Sequence, residues 1–317
     1  MNNENRILVA MDVSNFEYVT INAAFNKWKE LYPEDSNHLL PPKETDQNNL
    51  PNILNIDSFR KILSVTTQQK LDSLNWIIRN NHQHEVDIAD GIDFVCTEDS
   101  SINNNFRKIK YPEYKAQRKL IAKSYNVSVI KDYIQDVLFK ELEVEDKLGF
   151  KIVKVDGCES DDIIAILMKK YNDYLCRILI SSDRDFLQLE NVYQYDWWGN
   201  KIERKIKNHE EFEMNSKEFL LWKILRGDVS DNIKNVFPKY GDVKSYKLVK
   251  DKLLLKKMLY ESQEANNRYK LNKFLIDFRS IPLDVEEKIS NILSEKMSII
   301  SKNESVENFT LESCIEF

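Results

Sequence analysis

Short runs of apolar, β-branched residues alternate along this chain with longer stretches whose apolar positions recur at helical spacing. The short runs lie at 7–11, 92–97, 151–155 and 178–182, with a weaker one at 192–195. They are almost continuously apolar, as expected of strands buried on both faces. Helical periodicity covers 16–31, 57–80, 120–148 and 161–171. The alternation predicts an α/β fold, with a mostly parallel central sheet flanked by helices. After Asn215 the pattern is helical nearly to the end. This predicts an α/β core over 1–215 and a helical C-terminal part over 216–317. Residues 33–51 hold four of the seven prolines among Asn, Asp, Glu and Gln, and read as a surface loop or insertion.

Composition narrows the class. With 317 residues, 42% hydrophobic and 31% charged, the chain is globular and long enough to bury a full core without staples. Six glycines exclude collagen-like architecture. No uncharged apolar run approaches the ~18 residues of a membrane span, and the N-terminus carries no signal-peptide pattern. The four cysteines form no C-x-x-C pair and the four histidines are scattered, so no zinc pattern is present. Free thiols and a cytoplasmic location are expected.

Three predicted strands run into aspartate: Asp12 closes ILVAMD, Asp99 follows IDFVCTE, and Asp183 follows ILISS. Open parallel sheets bind ligands beyond the carboxyl ends of their strands. One such Asp is ordinarily a helix cap, but three in register are hard to assign to capping alone. Glu159, Asp161 and Asp162 open a helix, Asp183 is followed by Asp185, and Asp228 and Asp231 share a face at i, i+3. So many carboxylates raise one another's pKa unless a cation compensates them. Oxygen-only donors suit Mg²⁺ or Mn²⁺, and two such ions ~4 Å apart serve in-line phosphoryl displacement.

The net charge of −6 argues against a nucleic-acid partner only on average. Residues 106–131 carry eight Lys and Arg against Glu113, a net +7 over 26 residues, with Tyr111, Tyr114 and Tyr125 interleaved. Basic groups neutralise phosphates and tyrosines stack on unpaired bases. A second block, 234–257, has eight lysines against two acids; taken alone it reads as a solvated helix face.

Together these residues resemble the 5′ nuclease superfamily of 5′–3′ exonucleases and flap endonucleases. The matching elements, in family order, are VAMDVSN, the Asp before FRKIKYPEYKAQR, VDGCESDDIIA, ILISSDRDFLQL and LRGDVSDNI. They extend from residue 6 to about 250. The resemblance implies a PIN-like nuclease core with a basic arm over 100–131, and two Mg²⁺ ions for which Mn²⁺ can substitute. One metal site would use Asp12, Asp99, Asp161 and Asp183. The other would use Asp185 and Asp231, with Glu159 and Asp228 as direct or water-mediated ligands. Asp162 is assigned to the helix N-terminus. Lys115 and Arg118, in YKAQR, match the family's catalytic basic residues at the scissile phosphate. Arg107, Lys108, Lys110, Lys119, Lys239 and the stacking candidate Tyr114 would hold nucleic acid.

The implied activity is hydrolysis by metal-activated water, leaving 5′-phosphates, on DNA and RNA·DNA with 5′ ends or flaps. The implied role is primer and flap removal in phage replication by a monomer. A sliding clamp and a single-strand-binding protein are the partners that role suggests, with 309–317 as a docking peptide. The sequence departs from the family at 236–241, where the Gly-rich turn of a helix–turn–helix is reduced to VFPKYG with one glycine. This degenerate turn resembles the T4-like phage ribonuclease H branch. Alternatives are a PIN-type ribonuclease, which would not need the basic arm, and a non-catalytic binding homologue. A haloacid-dehalogenase-type phosphatase would need D-x-D at the first strand, where Ser14 stands instead.

Overall fold

The computed structural model describes residues 3–39, 52–101, 104–120, 125–144, 151–208 and 210–300. Five parallel strands form the central sheet: β1 (Arg6–Asp12), β2 (Gly91–Glu98), β3 (Lys151–Lys154), β4 (Cys176–Ile180) and β5 (Tyr193–Tyr195), in the order β3-β2-β1-β4-β5. All five expected strands are present. The first half of the sheet grows one way from β1 and the second half the other way. This puts the topological switch point between the carboxyl ends of β1 and β4, with the end of β2 beside β1. There Asp12 pairs with Thr97, and Met11 lies beside Ile180.

Period-two alternation divides the buried strand residues between two cores. Ile7, Val9 and Met11 face α1 (Val13–Leu31), α3 (Asp57–Ile88) and α5 (Val127–Val144), with α2 (Pro33–Leu39) lying between α1 and α3 in the chain. Phe16, Trp28 and Phe59 are fully buried on that side, each such side chain stabilising the fold by ~1.5–3 kcal/mol. On the opposite face Leu8 and Ala10 meet α6 (Ser160–Lys170). A short helix, α4 (Phe106–Lys110), opens the basic arm.

Two local expectations change. Residues 33–39 form a helix rather than a loop. Pro33 is suited to a first helical position, and Glu34 and Asp35 complement the first-turn dipole; residues 40–51 lie outside the described ones. An antiparallel hairpin, β6 (Lys205–Asn208) with β7 (Glu210–Glu213), was not legible in the sequence. Its ladder pairs Ile206 with Phe212, and its other positions are Lys, Asn and Glu, so little hydrophobic signal remains.

The helical part comprises α7 (Ser216–Arg226), α8 (Asp242–Lys250), α9 (Lys252–Glu261), α10 (Gln263–Ile276) and α11 (Leu283–Ile300). A capping box of Asn215 and Glu218 starts α7. Gly227 ends it at φ 70°, ψ −169°, a backbone state essentially restricted to glycine, and aims the chain into Asp228. Helix α11 returns to the α/β core, burying Ile289 and Leu293 with Ile163 and Val153. Among the described residues no helix is long and apolar enough to cross a membrane.

Candidate active site

Asp12 is the last residue of β1, 4% exposed, and caps α1 by accepting from the Asn15 N–H at 3.2 Å. Ser160 Oγ also donates to it at 3.1 Å. Asp99, just past β2, accepts from the Ser160 N–H at 2.8 Å and from Ser14 Oγ at 2.7 Å. Ser160 therefore ties the first turn of α6 to both strand-end acids, and it was not singled out in the sequence. Asp183 caps the turn after β4 by accepting from the Asp185 N–H at 2.8 Å.

These acids feel one another. Burial, then Asp99 and Asp183, raise Asp12 to about 7. Burial, then Asp183 and Asp12, hold Asp161 well above the usual carboxylate range. The structure thus brings Asp12, Asp99, Asp161 and Asp183 to one place, with negative charge in excess of its compensation.

The other four acids are compensated by cations. Glu159 is 6% exposed and is ion-paired with Lys115 and with Arg107 at 3.3 Å. Burial alone would raise its pKa, but Lys115 and Arg107 outweigh burial and lower it. Asp231 accepts from Arg118 Nη2 at 2.6 Å and lies 3.9 Å from Lys115 Nζ; burial nevertheless raises it. Lys223 bridges Asp185 and Asp228, lying 2.5 Å from Asp228 Oδ2. Burial outweighs Lys223 at Asp185, which is raised to about 6. At Asp228 burial is opposed by Lys223 and Ser230, which bring it down to about 2. Lys223 was also missed; its signal is a lone cation inside the apolar run LLWKIL, five residues before Asp228.

The basic arm is folded inward. Lys115 adopts φ 54°, and its N–H donates to the Asp231 carbonyl at 3.0 Å. Arg107, expected on a nucleic-acid strand, is 3% exposed. Its guanidinium pairs with Asp162 at 2.7 Å and donates to the Leu275 carbonyl at 2.8 Å, so in this structure it faces protein and not solvent. Tyr114, the stacking candidate, is 4% exposed, and its hydroxyl donates to Glu159 at 3.1 Å and Asp231 at 3.2 Å; its ring has no open face for a base. Asp162 completes the capping box of α6, as expected.

Lys108 donates to the Tyr114 carbonyl at 2.9 Å, whereas Lys110 and Lys239 are exposed. Lys239 holds φ 63° within the degenerate turn, a left-handed position that glycine normally fills. The Lys119 side chain and residues 309–317 lie outside the described ones.

The donor set fits a hard divalent cation: eight carboxylates, of which Asp12, Asp161, Asp185 and Asp231 hold protons more tightly than usual because charge and burial oppose ionisation. Among the described residues no three acids converge into a formed cage. The ammonium groups of Lys115 and Lys223 lie between the acids of the second group.

Comparison with known proteins bears on this geometry. Residues 66–218 match the family described as 5′-3′ exonuclease, N-terminal resolvase-like domain. The chain is 35% identical over 144 residues to a 5′-3′ exonuclease of Buchnera aphidicola subsp. Schizaphis graminum, covering 44% of this chain and 47% of that one. It is 31% identical over 166 residues to ribonuclease H of Enterobacteria phage T4, covering 47% and 52%. Over residues 66–218, just under half of its length, the chain resembles the 5′-3′ exonuclease family.

It spans about half the length of these curated relatives. The phage T5 D15 protein co-crystallised with metal ions shares the fold, with a TM-score of 0.56 at 16% identity, covering 95% of this chain and 100% of that one. The superfamily match contains Asp99, Glu159, Asp161, Asp183, Asp185 and the arm, while Asp12, Asp228 and Asp231 lie outside it. The fold brings those three to the same site.

Proposed function

We propose that this protein is a divalent-metal-dependent 5′ nuclease that hydrolyses phosphodiesters of DNA and RNA·DNA at 5′ ends and flaps. The observation that carries the reading is the gathering of eight carboxylates at the switch point of a parallel sheet, with Lys115 and Arg118 laid against them. Two Mg²⁺ ions, with Mn²⁺ able to substitute, would supply a water activated at neutral pH and positive charge for the leaving oxygen.

Asp12, Asp99, Asp161 and Asp183 would hold one ion, and Asp185 and Asp231, with Glu159 and Asp228, the other. Lys115 and Arg118 bring fixed positive charge to the same acids, where a scissile phosphate develops negative charge in the transition state. Arg118 is half exposed, so it can meet a phosphate arriving from solvent. Ser160 and Ser181 hold Asp12 in place by hydrogen bonds at 3.1 and 3.4 Å. The similarity to the T4 ribonuclease H supports a role in removing RNA primers and flaps during phage replication.

The test is cleavage of a 5′-labelled flap duplex and a nicked duplex, with Mg²⁺ and with EDTA, beside Asp183→Asn. Short products that need both Mg²⁺ and Asp183 support the reading, and their lengths separate exonuclease from flap cutting. Binding without cleavage under every metal tried would replace it with a non-catalytic one.

A further inference from the structure

We propose that the groove between Trp76 and Trp198 is a second nucleic-acid subsite, where an unpaired base of the strand leaving the acid cluster stacks. The proposal rests on the nuclease reading above. Trp28, Trp197 and Trp222 are buried, whereas Trp76 and Trp198 are 55% and 58% exposed. The two exposed indoles flank a cavity of ≈ 350 Å³, whose lining also includes Ala23, Lys27, Thr66 and Lys70 and no carboxylate. Exposed indoles beside cations with no acid in the lining suit a nucleic acid, whose bases offer π-faces and whose backbone is anionic.

The platform is preorganised. Asp196 accepts from the N–H groups of Trp198 and Asn200, both at 2.9 Å, and fixes the turn. Gly199 at φ 80° packs against Trp76, where a side chain would collide with the ring. Lys70 Nζ lies 4.0 Å from the centre of the Trp198 ring and 3.3 Å from the Trp197 carbonyl. Thr66 Oγ1, in a residue 5% exposed, has no hydrogen-bond partner.

The groove is joined to the acid cluster. Trp197 Nε1 donates to Asn15 Oδ1 at 3.0 Å. The same oxygen accepts from the Ser182 N–H at 3.0 Å, and the Asn15 N–H donates to Asp12. From Asn15 to Ala23 is eight residues of α1, or ~12 Å. That corresponds to three or four stacked nucleotides at ~3.4 Å each.

The experiment measures binding of fluorescent substrates in EDTA, where cleavage is absent. One set is trimmed to about two nucleotides either side of the cleavage point, and another is extended well past the groove. Trp198→Ala should weaken the extended substrates by about tenfold, as loss of one base–indole stack does. Trimmed substrates should be unaffected, and Trp198→Phe should recover most of the affinity. Lys27→Gln should reduce the salt dependence for extended substrates alone, by about 0.7 in log–log slope for a single strand.

Equal weakening of trimmed and extended substrates, or none, would overturn the proposal. So would loss of self-association in Trp198→Ala with DNA affinity intact, which assigns the groove to a second copy of the chain. Failure of wild type to bind either set would refute the nuclease reading itself, a different outcome.

Discussion

Lys223→Met removes one ammonium and keeps most of the aliphatic stem, so it isolates the electrostatic role of that lysine. The Lys223, Asp185 and Asp228 side chains are 10%, 20% and 14% exposed, and solvent screening of this trio is weak. Removing one partner of a buried pair costs ~3–5 kcal/mol. The lower end applies here, because Asp185, already held at about 6, can take up a proton when its partner is gone. A loss of ~3 kcal/mol corresponds to a Tm lower by roughly 4–5 °C for cooperative unfolding of a chain this long.

Excess Mg²⁺ should narrow that gap, because a cation between the same two acids replaces what the lysine supplied. Mg²⁺ should also stabilise the variant at lower concentration than wild type, since no ammonium competes with it. Thermal melts titrated with Mg²⁺ and with EDTA measure both quantities. An identical Tm difference at every Mg²⁺ concentration would refute the reasoning and leave Lys223 a structural residue unconnected to metal.

Other predictions concern neighbouring groups. Lys115→Ala should lower kcat by about 10²–10³-fold with little change in KM, as for a transition-state charge contact; a change in KM alone would make it a tether. In metal-free protein, Tm should fall as pH rises from about 4 to about 7. The reason is that Asp12, Asp161 and Asp185 bind protons more tightly folded than unfolded. Asp228, depressed to about 2, acts below that window, where its contribution is lost as pH falls. Mg²⁺ should flatten the slope, and a profile rising through pH 4–7 without metal would contradict the assignment. Arg107→Leu should cost ~3–5 kcal/mol and admit protease to 104–120, because Asp162 and Glu159 lose their buried partner; a melt unchanged from wild type would count against it.

The sheet was readable because its strands are continuously apolar and each acid stands at a strand end, where local sequence and tertiary position coincide. Asp12, Asp99 and Asp183 stand out in the sequence for that reason. Arg107 and Tyr114 were misread because their sequence, a basic stretch with interleaved tyrosines, is also what docks inward when carboxylates wait beneath it. Nothing local reveals that Glu159 and Asp162 lie opposite. Lys223 and Ser160 escaped notice because their partners are distant in the chain or in another element. The β6–β7 hairpin left little trace, since its ladder contains one apolar pair.

The return of α11 to the sheet has a mechanical consequence. The helices from 216 to 276 leave the core through α7 and come back through a helix that buries Ile289 and Leu293 against Ile163 and Val153. They are therefore anchored like a bridge with two abutments, not hung from one strap. A load on the α7–α8 turn is carried into the sheet from both ends, and that turn can shift only as far as both supports allow. A chain ending before Leu283 would leave the far abutment to the Arg107 and Gln188 contacts with Leu275 and Ile276, and would bare an apolar face of the core. Damage at the C-terminal end should then register at Asp228 and Asp231, far from the missing residues in sequence.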